Sequence, residues 1–443
     1  MRGIFPFVWL SPRGVWTLLG LAALVAVASV VPLLMGVVYI AVLAFLAAIF
    51  VDFRCAPGPA TLLIARESIG RLIIGRPTTI AYPIENHGSL PVRIGLVETP
   101  LSMIAFEREM LTATLPAGQS TRLEQSIVAD RRGSVRFGAL YLWAESGLGL
   151  LRRRFKVAAD EEADVFPDLS AVERYGTLTS RKTLLESGLR KLRLRGAGSE
   201  FESLREYAAG DAFRSVDWKA TARHGRMIVQ QYEAARSAQV IVLLDCGRLM
   251  TPRMGIRQKF DYVLTAGLSV ARIAQAAGDH VGLAAFAAKP LLSIAPRRGQ
   301  AHVAALMKAS FDLQPRLEES DYDLAFAGIE RRYGKRSLVV FFTDIFDPAT
   351  SASTMNGLRR LARRHVVLCA LMNDAAIATA LALAPKTSAQ AYRVGVAVAL
   401  ADERANAVAE LRSLGVLVVD VPASRLTSSL LDSYLDLKTR ARI

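Results

Sequence analysis

The sequence predicts a multidomain, membrane-anchored chain: an N-terminal transmembrane helical hairpin, an all-β sandwich and a doubly wound α/β domain. Three observations predict it. No charged residue falls between Val15 and Phe50. Short alternating or apolar runs, separated by Gly, Pro and Asn turns, occupy residues 60–157. From Val240 onward, apolar strand-like runs alternate with amphipathic helical ones, the pattern of a mostly parallel sheet.

Composition bounds these readings. With 443 residues, the chain has room beyond an anchor for about two or three cored domains. Hydrophobic residues at 52% and charged residues at 21% exclude a disordered protein. A net charge of +15 suits anionic lipid, nucleic acid or an acidic partner, and an anchor favours lipid. Cys55, Cys246 and Cys369 are too scattered for a disulfide framework, which points to a reducing compartment.

The anchor occupies residues 1–57. A straight helix from Val15 to Phe50 would be about 50 Å long against a hydrocarbon core of about 30 Å. Pro32 divides the run into spans of about 15–31 and 33–51. Such a hairpin returns to the side it left. Arg2, Arg13, Arg54 and Arg66 flank it against one nearby acid, Asp52, so the positive-inside rule places both ends in the cytoplasm. The expectation is a multi-pass protein of the inner, cytoplasmic membrane with its soluble domains inside. Ala26-Val27-Ala28 offers a competing signal-peptide reading, but cleavage there would leave the second apolar run in place.

Within 60–157, the runs Thr61 to Ala65, Thr78 to Ile84, Val92 to Val97 and Ser134 to Trp143 read as strands of an immunoglobulin-like sandwich. A connector and a distinctive segment fill 158–239. The connector reads as helical over 158–195 and carries Arg181, Lys182, Arg190, Lys191, Arg193 and Arg195, either a solvated face or a lipid or nucleic-acid contact.

The α/β domain runs from 240 to 443. Strands are expected at Val240 to Leu244, Val281 to Phe286, Leu338 to Phe342, Val366 to Leu371 and Val416 to Val419. Helices are expected near 258–277, 300–310, 322–333, 354–364, 403–412 and 425–440. Ligands of such sheets sit beyond the carboxyl ends of the strands, where Asp245 and Asp344 fall.

The segment from Gly198 to Glu233 interleaves Glu200, Glu202, Glu206, Asp211, Asp217 and Glu233 with Arg205, Arg214, Arg223 and Arg226. Carboxylates and guanidinium groups at this density can form bidentate pairs, with Phe201, Tyr207 and Trp218 covering apolar surface. That makes the segment a clasp between sandwich and sheet, or a surface for a partner. Its core, Glu200, Arg205, Tyr207, Gly210, Asp211, Arg214, Asp217, Trp218, Arg223 and Glu233, resembles the signature of domain-of-unknown-function family 58. The ending Tyr434-Leu-Asp-Leu-Lys438 resembles that family too. The resemblance implies a von Willebrand factor A-like α/β domain, association with a MoxR-type AAA+ ATPase, and a scaffold role in assembly or maturation of protein complexes. It leaves room for other von Willebrand A-like proteins as partners.

Members of the von Willebrand A fold often hold a divalent ion by Asp-x-Ser-x-Ser, a second-loop hydroxyl and a third-loop Asp, hard oxygen ligands that suit Mg²⁺. Here the first loop reads Asp245-Cys246-Gly247-Arg248-Leu249, with both serines lost. Asp245, Ser320 and Asp344 remain as a degenerate ligand set, and Arg248 is expected to pair with the carboxylates. No cofactor is therefore certain: Mg²⁺ is the alternative to a reading in which Asp245 and Asp344 cap loops and accept backbone hydrogen bonds.

Catalytic signatures are missing from the sequence. Gly334-Lys335-Arg336 is not a phosphate loop, and His87, His224, His280, His302 and His365 do not pair at zinc-ligand spacing. Cys246 near Arg248 is the one suggestive thiol. A non-enzymatic adaptor is the leading expectation. Nucleic-acid or anionic-lipid binding through the connector and a metal-dependent hydrolase at the sheet edge are the alternatives, with no nucleic-acid partner expected.

Overall fold

The uncharged N-terminal run folds as two helices because Pro32 interrupts it. The computed structural model describes residues 7–58, 61–145, 147–170, 172, 200–208, 213, 216–233, 237–255, 257–344, 348–440 and 443. Helix α1 (Pro12–Val30) and helix α2 (Met35–Cys55) are joined by a 3-10 turn at Pro32–Leu34. Their 19 and 21 residues span about 28 and 32 Å, long and apolar enough to cross a membrane.

The chain divides into two units, Met1–Phe166 and Pro167–Ile443. In the first, β1 (Phe7–Leu10) precedes α1. After α2 come β2 (Leu62–Ile64), β3 (Leu72–Ile73), β4 (Pro77–Asn86), β5 (Val92–Glu98), β6 (Ile104–Phe106) and β7 (Leu111–Leu115). Then follow β8 (Ser120–Ala129), β9 (Gly133–Phe137), β10 (Leu140–Glu145), β11 (Leu151–Val157) and β12 (Glu161–Phe166). They form sheets of order β1-β11-β10-β5-β7, β2-β4-β8-β6 and β3-β12-β9. Alternation along each strand turns Ile80, Tyr82, Leu96, Ile127, Phe137, Leu142 and Val165 into one shared core. Two details differ from the sequence reading. The run Ser134 to Trp143 is two strands broken at Gly138 and Ala139, and β12 occupies the start of the stretch expected to be helical.

The ends of the two helices are fixed to the sheets. Ser11 caps α1 by accepting from Gly14 N at 3.0 Å, and its own N–H donates to Leu150 O at 2.8 Å. Leu150 O lies so close to Gly14 that a Cβ there would stand 2.3 Å away. From α2, buried Asp52 accepts from Leu150 N at 2.9 Å and Leu151 N at 2.7 Å. One loop before β11 therefore holds both helices.

Arg66 is not a flanking membrane charge, contrary to the expectation. Its guanidinium is buried and binds Glu98 through two bonds, at 2.9 and 3.0 Å, and donates to Gly138 O at 2.8 Å. Tyr82 donates to the same carboxylate at 3.0 Å, and burial first, then Glu98, pushes its phenol well up. The sequence could not show this because Arg66 sits just past the apolar run, where positive charge is ordinary. The charge bias across the hairpin is smaller by one.

The second unit begins with a ribbon: β13 (Glu200–Glu206), a short helix α3 (Trp218–His224) and β14 (Ile228–Glu233). The rest contains β15 (Gln239–Asp245), β16 (Arg253–Met254), β17 (Arg257–Gln258), α4 (Lys259–Ala276), β18 (His280–Phe286), β19 (Pro290–Arg297) and α5 (Gln300–Ser310). It continues with α6 (Tyr322–Arg332), β20 (Leu338–Phe342), α7 (Pro348–Arg364), β21 (Val366–Asn373), α8 (Ala375–Leu381), α9 (Ser388–Ser413), β22 (Leu417–Pro422) and α10 (Ala423–Thr439). The sheet order is β19-β18-β15-β20-β21-β22, parallel except for β19 at the edge. Central strands are continuous apolar runs because both faces are covered: α4 and α10 pack on one, α6, α7 and α9 on the other. Strand β19 and helix α8 were not expected from the sequence, and α9 begins well before the 403 expected.

The C-terminal helix is pinned by buried Asp279. Tyr434 and Lys438, one turn apart on α10, both donate to it, as does Ala238 N at 2.9 Å. Burial first, then Asp279, raises the Tyr434 phenol well above its ordinary value.

Replacing Arg66 by Ala leaves buried Glu98 without its cation, which is expected to cost about 3–5 kcal/mol. Arg66→Lys should recover only part of this, because an ammonium cannot reproduce the bidentate fork. Urea unfolding followed by circular dichroism measures both.

Candidate functional site

The carboxyl edge of the central sheet brings together the three residues that the sequence picks out as metal ligands. Asp245 ends β15, Asp344 follows β20, and Ser320 precedes α6. Asp245 is fully buried and surrounded by donors. Its Oδ1 accepts from Gly247 N at 2.8 Å and from Ser320 Oγ. Its Oδ2 accepts from Tyr322 Oη at 3.0 Å and Thr343 Oγ1 at 2.9 Å. Burial first, then the adjacent Asp245 charge, pushes the Tyr322 phenol well up, so it stays a donor.

Asp344 faces cations of the protein itself. Lys259, the first residue of α4, makes ion contact with its Oδ2. Arg404 from α9 donates through Nη1 to Asp344 Oδ1 at 3.1 Å and grips Asp420 through Nη2 at 2.7 Å and Nε at 3.0 Å. Both cations are buried. Burial, reinforced by Arg404, pulls Lys259 down to about 8 against the opposing pull of Asp374, Asp245 and Asp420. At neutral pH it is therefore still mostly an ammonium.

These residues do not fit a divalent ion. Mg²⁺ needs bare oxygens in a tight octahedron, whereas the Asp245 oxygens already accept four hydrogen bonds and the Asp344 carboxylate holds two cationic groups. The lost serine position is closed as well: a Cβ on Gly247 would lie 2.0 Å from Ser320 Oγ. Among the described residues, no group of three or more His, Cys, Asp and Glu could hold a metal. Arg248 pairs with Glu319 at 2.6 Å. Nothing local marks Lys259 or Arg404 in the sequence, because a lysine at a helix start and an arginine within a helix look like ordinary solvated charges.

Cys246 is no reactive thiol candidate either, being fully buried in the core. Burial pushes the Cys369 thiol up to about 12.

The signature segment forms the ribbon. Glu200 and Glu233 are cross-strand partners, and Arg205 lies opposite Val229. Tyr207 continues the pairing through a 2.9 Å bond from its N–H to Met227 O. Asp217 caps α3, accepting from Lys219 N at 3.0 Å and Ala220 N at 2.9 Å. Arg223 lies exposed in the last turn of α3, and Arg226 pairs with Glu206. Gly210, Asp211 and Arg214 lie outside the described residues. Trp218 does not cover apolar surface as expected: opening α3, it is 63% exposed, and Phe213 is 64% exposed with its ring 6.0 Å from that of Tyr207. Phe213 was missed by the sequence reading, since a lone aromatic in a loop carries no period.

Residues 203–381 match the family model described as "Protein of unknown function DUF58". Over those residues, less than half of the chain, the protein is similar to that family. The matched stretch runs from Ser203, within β13, to the end of α8, so it includes the ribbon apart from its first three residues, Asp245, Lys259, Ser320 and Asp344, while Glu200, Arg404, Asp420 and the Tyr434–Lys438 ending lie outside it. Uncharacterized proteins of Mycobacterium bovis and Mycobacterium tuberculosis are each 25% identical over 175 residues, 39% of this chain and 54% of theirs. The match thus spans about half the length of those relatives. Among solved structures, the PapD-like domain 7 of human CEP192 aligns with 10% identity and a TM-score of 0.19, over 24% of this chain and 84% of that one. Proximal thread matrix protein 1 from the mussel byssus aligns with 13% identity and a TM-score of 0.27, over 46% and 47%. At these scores neither supports a fold assignment for this chain.

Millimolar Mg²⁺ should leave the melting temperature unchanged, whereas Lys259→Ala, which strips a buried carboxylate of its ammonium, should cost about 3–5 kcal/mol in thermal unfolding. Cys369 should resist thiol reagents in the folded protein while exposed Cys55 reacts. Because the fold raises the Cys369 value, its contribution is intact below about 9 and falls away as pH climbs toward about 12, measurable as a loss of stability absent in Cys369→Ala.

Proposed function

We propose that the protein is a membrane-anchored adaptor. The α1–α2 hairpin crosses the inner membrane with both ends in the cytoplasm, and the α/β unit, read as a von Willebrand A-like domain whose edge carboxylate is held by the protein's own cations, presents the signature ribbon to a partner. The observation that carries this reading is the exposure of Phe213 and Trp218, at 64% and 63%, on a ribbon flanked by Arg223 and the Arg226–Glu206 pair. Large aromatics beside arginine are the usual anchors of protein interfaces. A scaffold role agrees with an edge where Lys259 and Arg404 occupy the carboxylate that a hydrolytic metal would need. The partner that fits the family resemblance is a MoxR-type AAA+ ATPase, which would supply nucleotide hydrolysis during assembly or maturation of protein complexes.

Affinity capture of the full chain from solubilised membranes should recover such an ATPase, with or without nucleotide. Phe213→Ala with Trp218→Ala should weaken capture about 30-fold, as expected of a hot spot worth about 2 kcal/mol, and leave the melting temperature unchanged. Recovery of no AAA+ ATPase by the unaltered chain would overturn the partnership.

A further inference from the structure

The outer face of the sheet that carries β1 and β11 is distinct from the ribbon and from the carboxylate edge, and neither uses it. Its register places side chains in three rows. The first holds Trp9, Arg152, Glu145 and Arg93, the second Phe7, Arg154, Trp143 and Gly95, the third Lys156, Tyr141 and Val97. Arginines and aromatics interleave across them: Arg152 lies 4.3 Å from the centre of the Trp143 ring, and Arg154 and Lys156 lie 5.1 and 5.9 Å from that of Tyr141. Glu145 offsets part of the charge, pairing with Arg152 and standing 4.0 Å from Arg93. Arg93, Arg154 and Lys156 are exposed.

The position of this face relative to the hairpin is fixed. Strand β1 leads into α1 through Ser11 alone, and Asp52 at the end of α2 holds the N–H groups of Leu150 and Leu151 where β11 starts. Arg153, on the other face of β11, lies 5.3 Å from the centre of the Phe53 ring and donates to Ala56 O and Pro57 O at 3.3 Å. Along β11 from Leu151, Arg152, Arg154 and Lys156 are at most about 3, 10 and 16 Å away. The polar headgroup layer is about 5–8 Å thick on each side of the hydrocarbon. With a side-chain reach of several Å, Arg93, Arg152 and Arg154 fall within that layer and Lys156 at its far limit. Arg13 and Arg54, exposed at the helix ends, add charge at the same level.

We propose that this face binds the anionic phospholipid headgroups of the bilayer that the hairpin enters, holding the β unit against the membrane. The occupant follows from charge and place: exposed guanidinium groups suit phosphate, flanking aromatics suit the interface, and the face begins where the helices end. The proposal rests on the membrane-hairpin reading.

The test uses the full chain in vesicles of phosphatidylcholine with a minority of phosphatidylglycerol. Alkaline extraction reports insertion, and mass spectrometry of the protein released with its lipids counts retained phosphatidylglycerol. The unaltered chain should retain phosphatidylglycerol in preference to phosphatidylcholine, less so at high salt. Arg93→Ala with Arg154→Ala should remain inserted but lose about fivefold in preference per charge removed, about 25-fold together. Lys156→Ala should change it less than either single variant. Equal retention by the unaltered and doubly substituted chains, both still inserted, would overturn the lipid contact alone. Release by alkaline washing would overturn the hairpin and the contact with it. Tight, salt-sensitive oligonucleotide binding without phosphatidylglycerol preference would assign the face to nucleic acid instead.

Discussion

Buried carboxylates need partners, and in this protein that requirement fastens segments far apart in sequence. Removing an ionised carboxylate from water costs several kcal/mol unless charge or hydrogen bonds replace the lost hydration. Glu98 meets this with Arg66 and Tyr82, Asp52 with two backbone N–H groups, Asp279 with Tyr434, Lys438 and Ala238 N, and Asp344 with Lys259 and Arg404. Apolar packing would hold the same elements together, but it is non-directional and would not fix where a helix end meets a loop. Each carboxylate does. Asp52 sets the junction of hairpin and sheets, and Asp279 seats the last helix.

What the sequence revealed and what it concealed follow from this division of labour. Apolar runs, their period and a proline are local, so the split at Pro32, the alternation of strand and helix after Val240, and the positions of Asp245 and Asp344 at strand ends were all legible. The partner of a buried carboxylate is not local. Lys259 and Arg404 lie 85 and 60 residues from Asp344 and sit in stretches whose other residues read as ordinary helix. Arg66 reads as a membrane flank for the same reason: the Glu98 carboxylate that holds it is 32 residues away, on β5. Strand β1 escaped because four residues before an anchor show no usable alternation, and its pairing with β11 joins residues more than a hundred positions apart.

The Tyr434-Leu-Asp-Leu-Lys438 ending illustrates how a motif can be structural without being a site. A tyrosine and a lysine at i and i+4 share one face of α10, and both reach Asp279 at the start of β18. Asp436, between them, faces outward and pairs with Arg440. The motif thus reads as a fastening for the last helix against the central sheet.

The same logic separates the two places where function was sought. At the carboxylate edge Asp245 and Asp344 are both engaged by the protein, and an arriving ion would have to displace Lys259, Arg404 or several hydroxyl donors at a cost of several kcal/mol. At the ribbon the balance is reversed, since Phe213 and Trp218 leave apolar rings in water that a partner could cover with gain. The carboxylates at one end of the α/β unit are therefore satisfied within the protein, while the ribbon leaves hydrophobic surface exposed.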